Sequence, residues 1–272
     1  MHTTIAVTGK GGVGKTAVAA LIVRALLDAG EESLLAIDAD PNLNFDAALG
    51  LKATEFLGCI REEALEKQED LPAGMTKTDF LTYRAREAIL ETDRFDFLAM
   101  GRPEGPGCYC YANNVLRRAI DNLAKAYDYL VVDCEAGLEH FSRRTTGDID
   151  VLFILTDSSL RSADTVFRVM DLIEGLKTHV GKTLVVVTRA SEVSQPILQR
   201  AAEHGIEIAT TIPDDPEVRD LDDSGQALLN VSPGNAALQA VKGLLRQAGV
   251  LTAENGTEAI SHSCCEASTN AK

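Results

Sequence analysis

Gly9-Lys10-Gly11-Gly12-Val13-Gly14-Lys15-Thr16 decides how this chain is read. The stretch fits G-x-x-x-x-G-K-[ST], the phosphate-loop pattern. Thr4-Ile5-Ala6-Val7-Thr8 before it reads as a short β-branched strand. Ala17 to Ala29 after it is apolar at helical spacing and contains no Pro or Gly. Polyphosphate binding needs strand, glycine loop and helix in that order. Glycines let backbone N–H groups turn inward without Cβ obstruction. The helix N-terminus adds a dipole that favours an anion. Lys15 would neutralise β/γ-phosphate charge, and the Thr16 hydroxyl would ligate Mg²⁺. Gly9 to Ala17 is therefore the expected nucleotide cradle. A glycine-rich turn without a ligand is the alternative, and the flanking strand and helix argue against it.

The 272 residues allow one large α/β domain or two small ones, and a hydrophobic content of 45% is ordinary for a globular protein. A net charge of −15 argues against nonspecific nucleic-acid binding and against docking to an anionic membrane. The strand beginning near residue 3 leaves no room for a signal peptide, and no apolar run is long enough to span a bilayer. The expected location is cytoplasmic. There, the six cysteines read as thiols or metal ligands rather than a disulfide framework.

Strand and helix signals alternate across residues 3–248. They predict one doubly wound α/β fold with a mainly parallel sheet of about seven strands. Ser33 to Ile37 is the second strand, ending in Asp38-Ala39-Asp40-Pro41-Asn42, a carboxylate pair beside the phosphate loop. Thr54 to Lys67 and Lys77 to Glu91 look helical, with Cys59 on an apolar stripe and expected to be buried. Phe95 to Gly101 is the third strand. Asp128 to Asp133 is the fourth and ends as a Walker B element, which places Asp133 near Mg²⁺. In the following segment Gly137 lies where a second switch would donate its N–H to a γ-phosphate. Asp150 to Thr156, Thr183 to Thr188 and Glu207 to Thr210 complete the strands, and Asn235 to Gln247 forms the last helix. Residues 1–250 are read as the ATPase domain. Residues 251–272 lose periodicity and read as a disordered tail carrying His262, Cys264 and Cys265.

Cys108-Tyr109-Cys110 lies in a Pro/Gly-rich loop after the third strand. Two thiols one residue apart chelate a soft or borderline cation only from irregular or extended backbone, and they are too few to close a four-sulfur site. Two chains related by a two-fold axis would supply four sulfurs to one metal, Ni²⁺ or Zn²⁺. Ordinary loop cysteines or a local redox pair remain the alternatives.

Lys10 gives the loop a second lysine, directly after its first glycine. This KGGVGKT variant resembles the deviant Walker A family that includes MinD, ParA, the nitrogenase iron protein and the CooC-type nickel ATPases. The resemblance implies that Lys10 reaches across a homodimer to the partner's nucleotide, where it acts like an arginine finger. It also implies that Asp38 sits near Mg²⁺ and that Asp40 orients or deprotonates the attacking water. Thr188, Arg189 and Pro213 would surround the adenine, with Thr188 standing where the family often has a base-reading Asn. GKGGVGKT, DADPN, GCYCY and DCEAGLEH together resemble the CooC/AcsF branch. Those ATPases mature nickel-containing carbon monoxide dehydrogenase or acetyl-CoA synthase. The resemblance implies ATP/ADP, Mg²⁺ and interfacial nickel as cofactors, and a nickel enzyme as client.

Two other classes stay in view. An iron-protein-like reductase would bridge an iron–sulfur cluster across the dimer axis. Its second cysteine would lie in the switch segment, where this chain carries His140. A positioning ATPase of the MinD or ParA kind would need a membrane anchor or positive charge, and neither is present in this sequence.

Overall fold

The computed structural model describes residues 2–40, 42–60, 76–101, 125–134, 149–159, 164–170, 179–206 and 208–252. β1 (Thr3–Gly9) enters the phosphate loop, and α1 (Lys15–Asp28) leaves it. β2 (Leu34–Ala39) precedes the short helix α2 (Phe45–Ala48), and α3 spans Lys77–Glu87. β3 (Leu90–Glu91), β4 (Asp96–Ala99), β5 (Tyr129–Cys134) and β6 (Ile149–Thr156) follow. Residues 164–170 are helical. β7 (Val180–Thr188), α4 (Gln195–Glu203), β8 (Ile208–Ile212), α5 (Pro216–Asp223), a 3₁₀ turn at Leu228–Asn230 and α6 (Ala236–Ala248) follow.

The strands form one eight-stranded sheet in the order β3-β4-β2-β5-β1-β6-β7-β8. Every pair is parallel except β3 with β4. The seven-strand expectation missed β3. The helix predicted to run to Glu91 stops at Glu87, and the chain turns so that Leu90 and Glu91 pair with Phe97 and Asp96. Helical periodicity lost there to the unpaired edge of β4, whose backbone groups need partners.

The pleat divides the core in two. Ile5 and Val7 join α1, α2 and α6 on one face, while Ala6 joins Phe80, Val166 and Val169 on the other. Helices on both faces make the fold doubly wound. From β1 the chain passes outward to β2, and from β5 it crosses β1 to reach β6, so the order reverses around β1. Such a reversal opens a crevice at the carboxyl ends of the strands, and the phosphate loop lies there.

Cys59 is exposed, contrary to expectation. Residues 57–60 are helical and turn Leu57 and Ile60 inward, which leaves Cys59 outward. Cys134 is buried, as a structural thiol would be. Among the described residues no helix is long and apolar enough to cross a membrane. The tail reading falls on residues outside the described set from 253 onward.

Candidate nucleotide site

β1 must run close to β6 for the loop to form. Gly9 pairs with Leu155, and a Cβ at Gly9, whose φ is +147°, would lie 2.2 Å from the Leu155 carbonyl oxygen. Only glycine fits this contact. Gly12 and Gly14 take φ of +82° and +88° and turn the backbone over the crevice. Gly14 is the N-cap of α1, and no side chain caps that helix. By contrast, Asp215 caps α5 and Asn235 caps α6 with their side chains. The first N–H groups of α1 are thus left for a ligand. Lys15 is mostly buried, with its Nζ 3.4 Å from the Lys10 carbonyl oxygen, so the two lysines of the loop are adjacent in space.

β2 and β5 are neighbours, and their register sets Asp38 directly opposite Asp133. Both carboxylates are 1% exposed. Burial pushes Asp133 up to about 7, against the Thr16 hydroxyl that lowers it, and the nearby Asp38 charge raises it further. Burial also pushes Asp38 up to about 6, although the backbone N–H groups of Phe45 and Asp40 both donate to it. Asp38 therefore has both oxygens engaged and gathers the Asp40–Phe45 loop around itself. Asp133 is different. Its Oδ2 accepts from the Thr16 hydroxyl at 2.6 Å, and its Oδ1 is buried without a partner among the described residues.

An orphaned carboxylate oxygen beside a hydroxyl suits Mg²⁺. That ion keeps several waters and takes one or two protein ligands together with substrate phosphates. Because Thr16 gives its proton to Asp133, its lone pairs are left for a cation. Among the described residues no group of three or more His, Cys, Asp or Glu is placed to enclose a metal. Cys108, Cys110 and Gly137 lie outside the described residues, as do Pro41 and His140.

Two adjoining clefts open on the loop. One of about 600 Å³ is lined by Gly11, Gly12, Gly14, Lys15, Thr16 and Asp40 among others, and so carries the phosphate-binding set. Asp40 is half-buried there, and its Oδ1 accepts from the backbone and side chain of Asn42. The other, about 360 Å³, has apolar walls from Val18, Leu21, Ile212 and Val218 and is bordered by Thr188, Arg189 and Pro213. Gly14, Ala17, Arg189 and Asp222 line both. Arg189 has φ of +55°, uncommon for a non-glycine residue, at the point where β7 opens onto the cleft.

The chain reading missed α5, whose Asp222 borders both clefts. Its signal was present in Asp215-Pro216, an N-cap followed by Pro at the first helical position. Thr188 sits where it was expected, but its hydroxyl donates to the Val13 carbonyl at 2.7 Å. Thr188 borders the apolar cleft, and its hydroxyl proton is committed to the loop.

The chain has counterparts among known proteins. The AAA_31 family model, described as an AAA domain, matches residues 2–186. An uncharacterized ATP-binding protein of Methanocaldococcus jannaschii is 42% identical over 241 residues, covering 88% of this chain and 95% of that protein. The carbon monoxide dehydrogenase accessory protein CooC of Rhodospirillum rubrum is 32% identical over 246 residues, covering 84% and 90%. The septum site-determining protein MinD of Pyrococcus horikoshii, solved with Mg-ADP, superposes with a TM-score of 0.64 at 21% identity, covering 91% of this chain and 96% of that one. At that identity the likeness shows the fold alone.

Proposed function

The chain belongs to the AAA_31 family of P-loop ATPases, of the MinD/ParA type, and from that premise we propose that it is a dimerising ATPase assisting nickel insertion into carbon monoxide dehydrogenase or acetyl-CoA synthase. One observation carries the nickel reading. The similarity to CooC spans 84% of this chain, and this chain has a C-x-C pair in the loop after its third predicted strand. The same reading puts the protein in the cytoplasm, with no nucleic-acid or membrane partner.

The loop N–H groups and Lys15 hold the β- and γ-phosphates. Thr16 and Asp133 would hold Mg²⁺, which would supply positive charge against the phosphates. Asp40 orients the attacking water, and Gly137 donates its N–H to the γ-phosphate. Asp38 gathers the first switch through the backbone of Asp40 and Phe45. Lys10 of a second copy places its charge where the transferring phosphoryl group becomes more negative. The base occupies the apolar cleft between Arg189 and Pro213. Cys108 and Cys110 of two copies hold one Ni²⁺ or Zn²⁺ as cargo. ATP-driven closure changes metal affinity, and linkage requires the metal to change ATP affinity by the same factor.

Elemental analysis with oligomer mass, with and without ATP and Ni²⁺, tests this. One metal per two chains is expected, with ATP bound more tightly or more weakly once Ni²⁺ is present. A protein that stays monomeric with both ligands removes the proposal. A brown anaerobic preparation would instead mean a bridging iron–sulfur cluster, and ATP-dependent binding to liposomes or DNA would mean a positioning ATPase.

A further inference from the structure

Thr188 is the last residue of β7 and is 3% exposed. Its Oγ1 lies 2.7 Å from the Val13 carbonyl oxygen and 3.2 Å from the Thr156 carbonyl oxygen. A hydroxyl has one proton to donate, and the shorter contact ties it to the phosphate loop across 175 positions of sequence. Val13 is itself 1% exposed and stands between the two positive-φ glycines.

A peptide unit is planar and trans, so its C=O and the following N–H point in opposite directions. Fixing the Val13 carbonyl on Thr188 therefore turns the Gly14 N–H the other way. Gly14 lines the phosphate cleft. A glycine loop has little intrinsic preference for one peptide orientation over its flip. A buried hydrogen bond from outside the loop supplies that preference before any ligand arrives, which is the condition for preorganised anion binding.

We propose that Thr188 is a positioning residue for phosphate binding, the peg that sets the Val13–Gly14 peptide, and that it does not read the nucleobase. The proposal rests on the nucleotide-site reading given above. Base discrimination at the cleft then falls to other groups, and the hydroxyl acts identically on any ligand carrying the polyphosphate.

Thr188→Val removes the hydroxyl and keeps the shape. The full-length protein is titrated with ATP, GTP and inorganic tripolyphosphate, each with Mg²⁺, and the Tm of the ligand-free variant is recorded. We expect all three ligands to weaken by a common factor of roughly ten. Thr188→Ser, which keeps the donor, should restore binding. Weakening of ATP alone would make Thr188 a base reader and overturn the proposal. A lowered Tm with unchanged affinities would make it a purely structural tie, which overturns it equally. Wild-type protein that binds none of the three ligands would instead count against the nucleotide site itself.

Discussion

Asp133→Asn separates what the buried carboxylate does for stability from what it does for the cation. In the wild type, burial raises the Asp133 carboxyl from its ordinary 3.8 to about 7. A group raised on folding stabilises fully below its unfolded pKa, and that contribution is lost as pH rises through the folded value. Metal-free wild-type protein should therefore lose up to about 1.4 kcal/mol per pH unit between roughly pH 4 and 7, then level off. By pH 8 the ionised, buried carboxylate has removed on the order of 4 kcal/mol. Asparagine keeps an acceptor for Thr16 and never ionises. Its amide N–H₂ falls where Oδ1 had no partner, which takes back about 1–3 kcal/mol. The net gain near pH 8 is about 1–3 kcal/mol, and at roughly 2–4 °C per kcal/mol it appears as a Tm several degrees higher. Calorimetry in EDTA at pH 5 and pH 8 measures it, and Mg²⁺-ATP added at pH 8 should stabilise the wild type but not the variant. The burial account is refuted if the variant gains equally at both pH values, or is less stable than the wild type at pH 8.

Gly9→Ala should unfold the junction of β1 and β6, because the new Cβ lies 2.2 Å from the Leu155 oxygen; a loss of more than about 3 kcal/mol in urea titration is expected. Gly11→Ala is the control, since nothing lies within 4 Å of a Cβ there, and it should stay within roughly 1 kcal/mol. Lys10→Ala should lower steady-state ATP turnover by about 10³-fold while nucleotide affinity at low protein concentration changes little; equal losses in both would place Lys10 in its own subunit's site. Replacing Cys108 and Cys110 together by Ala should abolish stoichiometric Ni²⁺ binding and leave ATP affinity in the absence of metal intact. Retained nickel in the double variant would move the cargo site elsewhere.

The phosphate loop was legible because its requirements are local. Glycines, a lysine and a hydroxyl at fixed spacing between a β-branched strand and an apolar helix need no distant partner to be recognised. The β-branched run Thr4 to Thr8 likewise announced a strand. Asp38, Asp40 and Asp133 stood out as carboxylates at strand ends. Nothing in their spacing, however, says that Asp38 and Asp133 face each other. That follows from β2 pairing with β5, 95 residues away in the chain, and only this pairing buries both carboxylates and orphans one oxygen. The close approach that forbids a side chain at Gly9 comes in the same way from the β6 backbone. The family resemblance put Thr188 near the base, but the direction of its hydroxyl depends on where the loop passes. Sequence by itself determined which residues bring phosphate chemistry to this chain. The tertiary structure decided which of them touch and which are stripped of water, because strand register and burial are properties of contacts between distant segments.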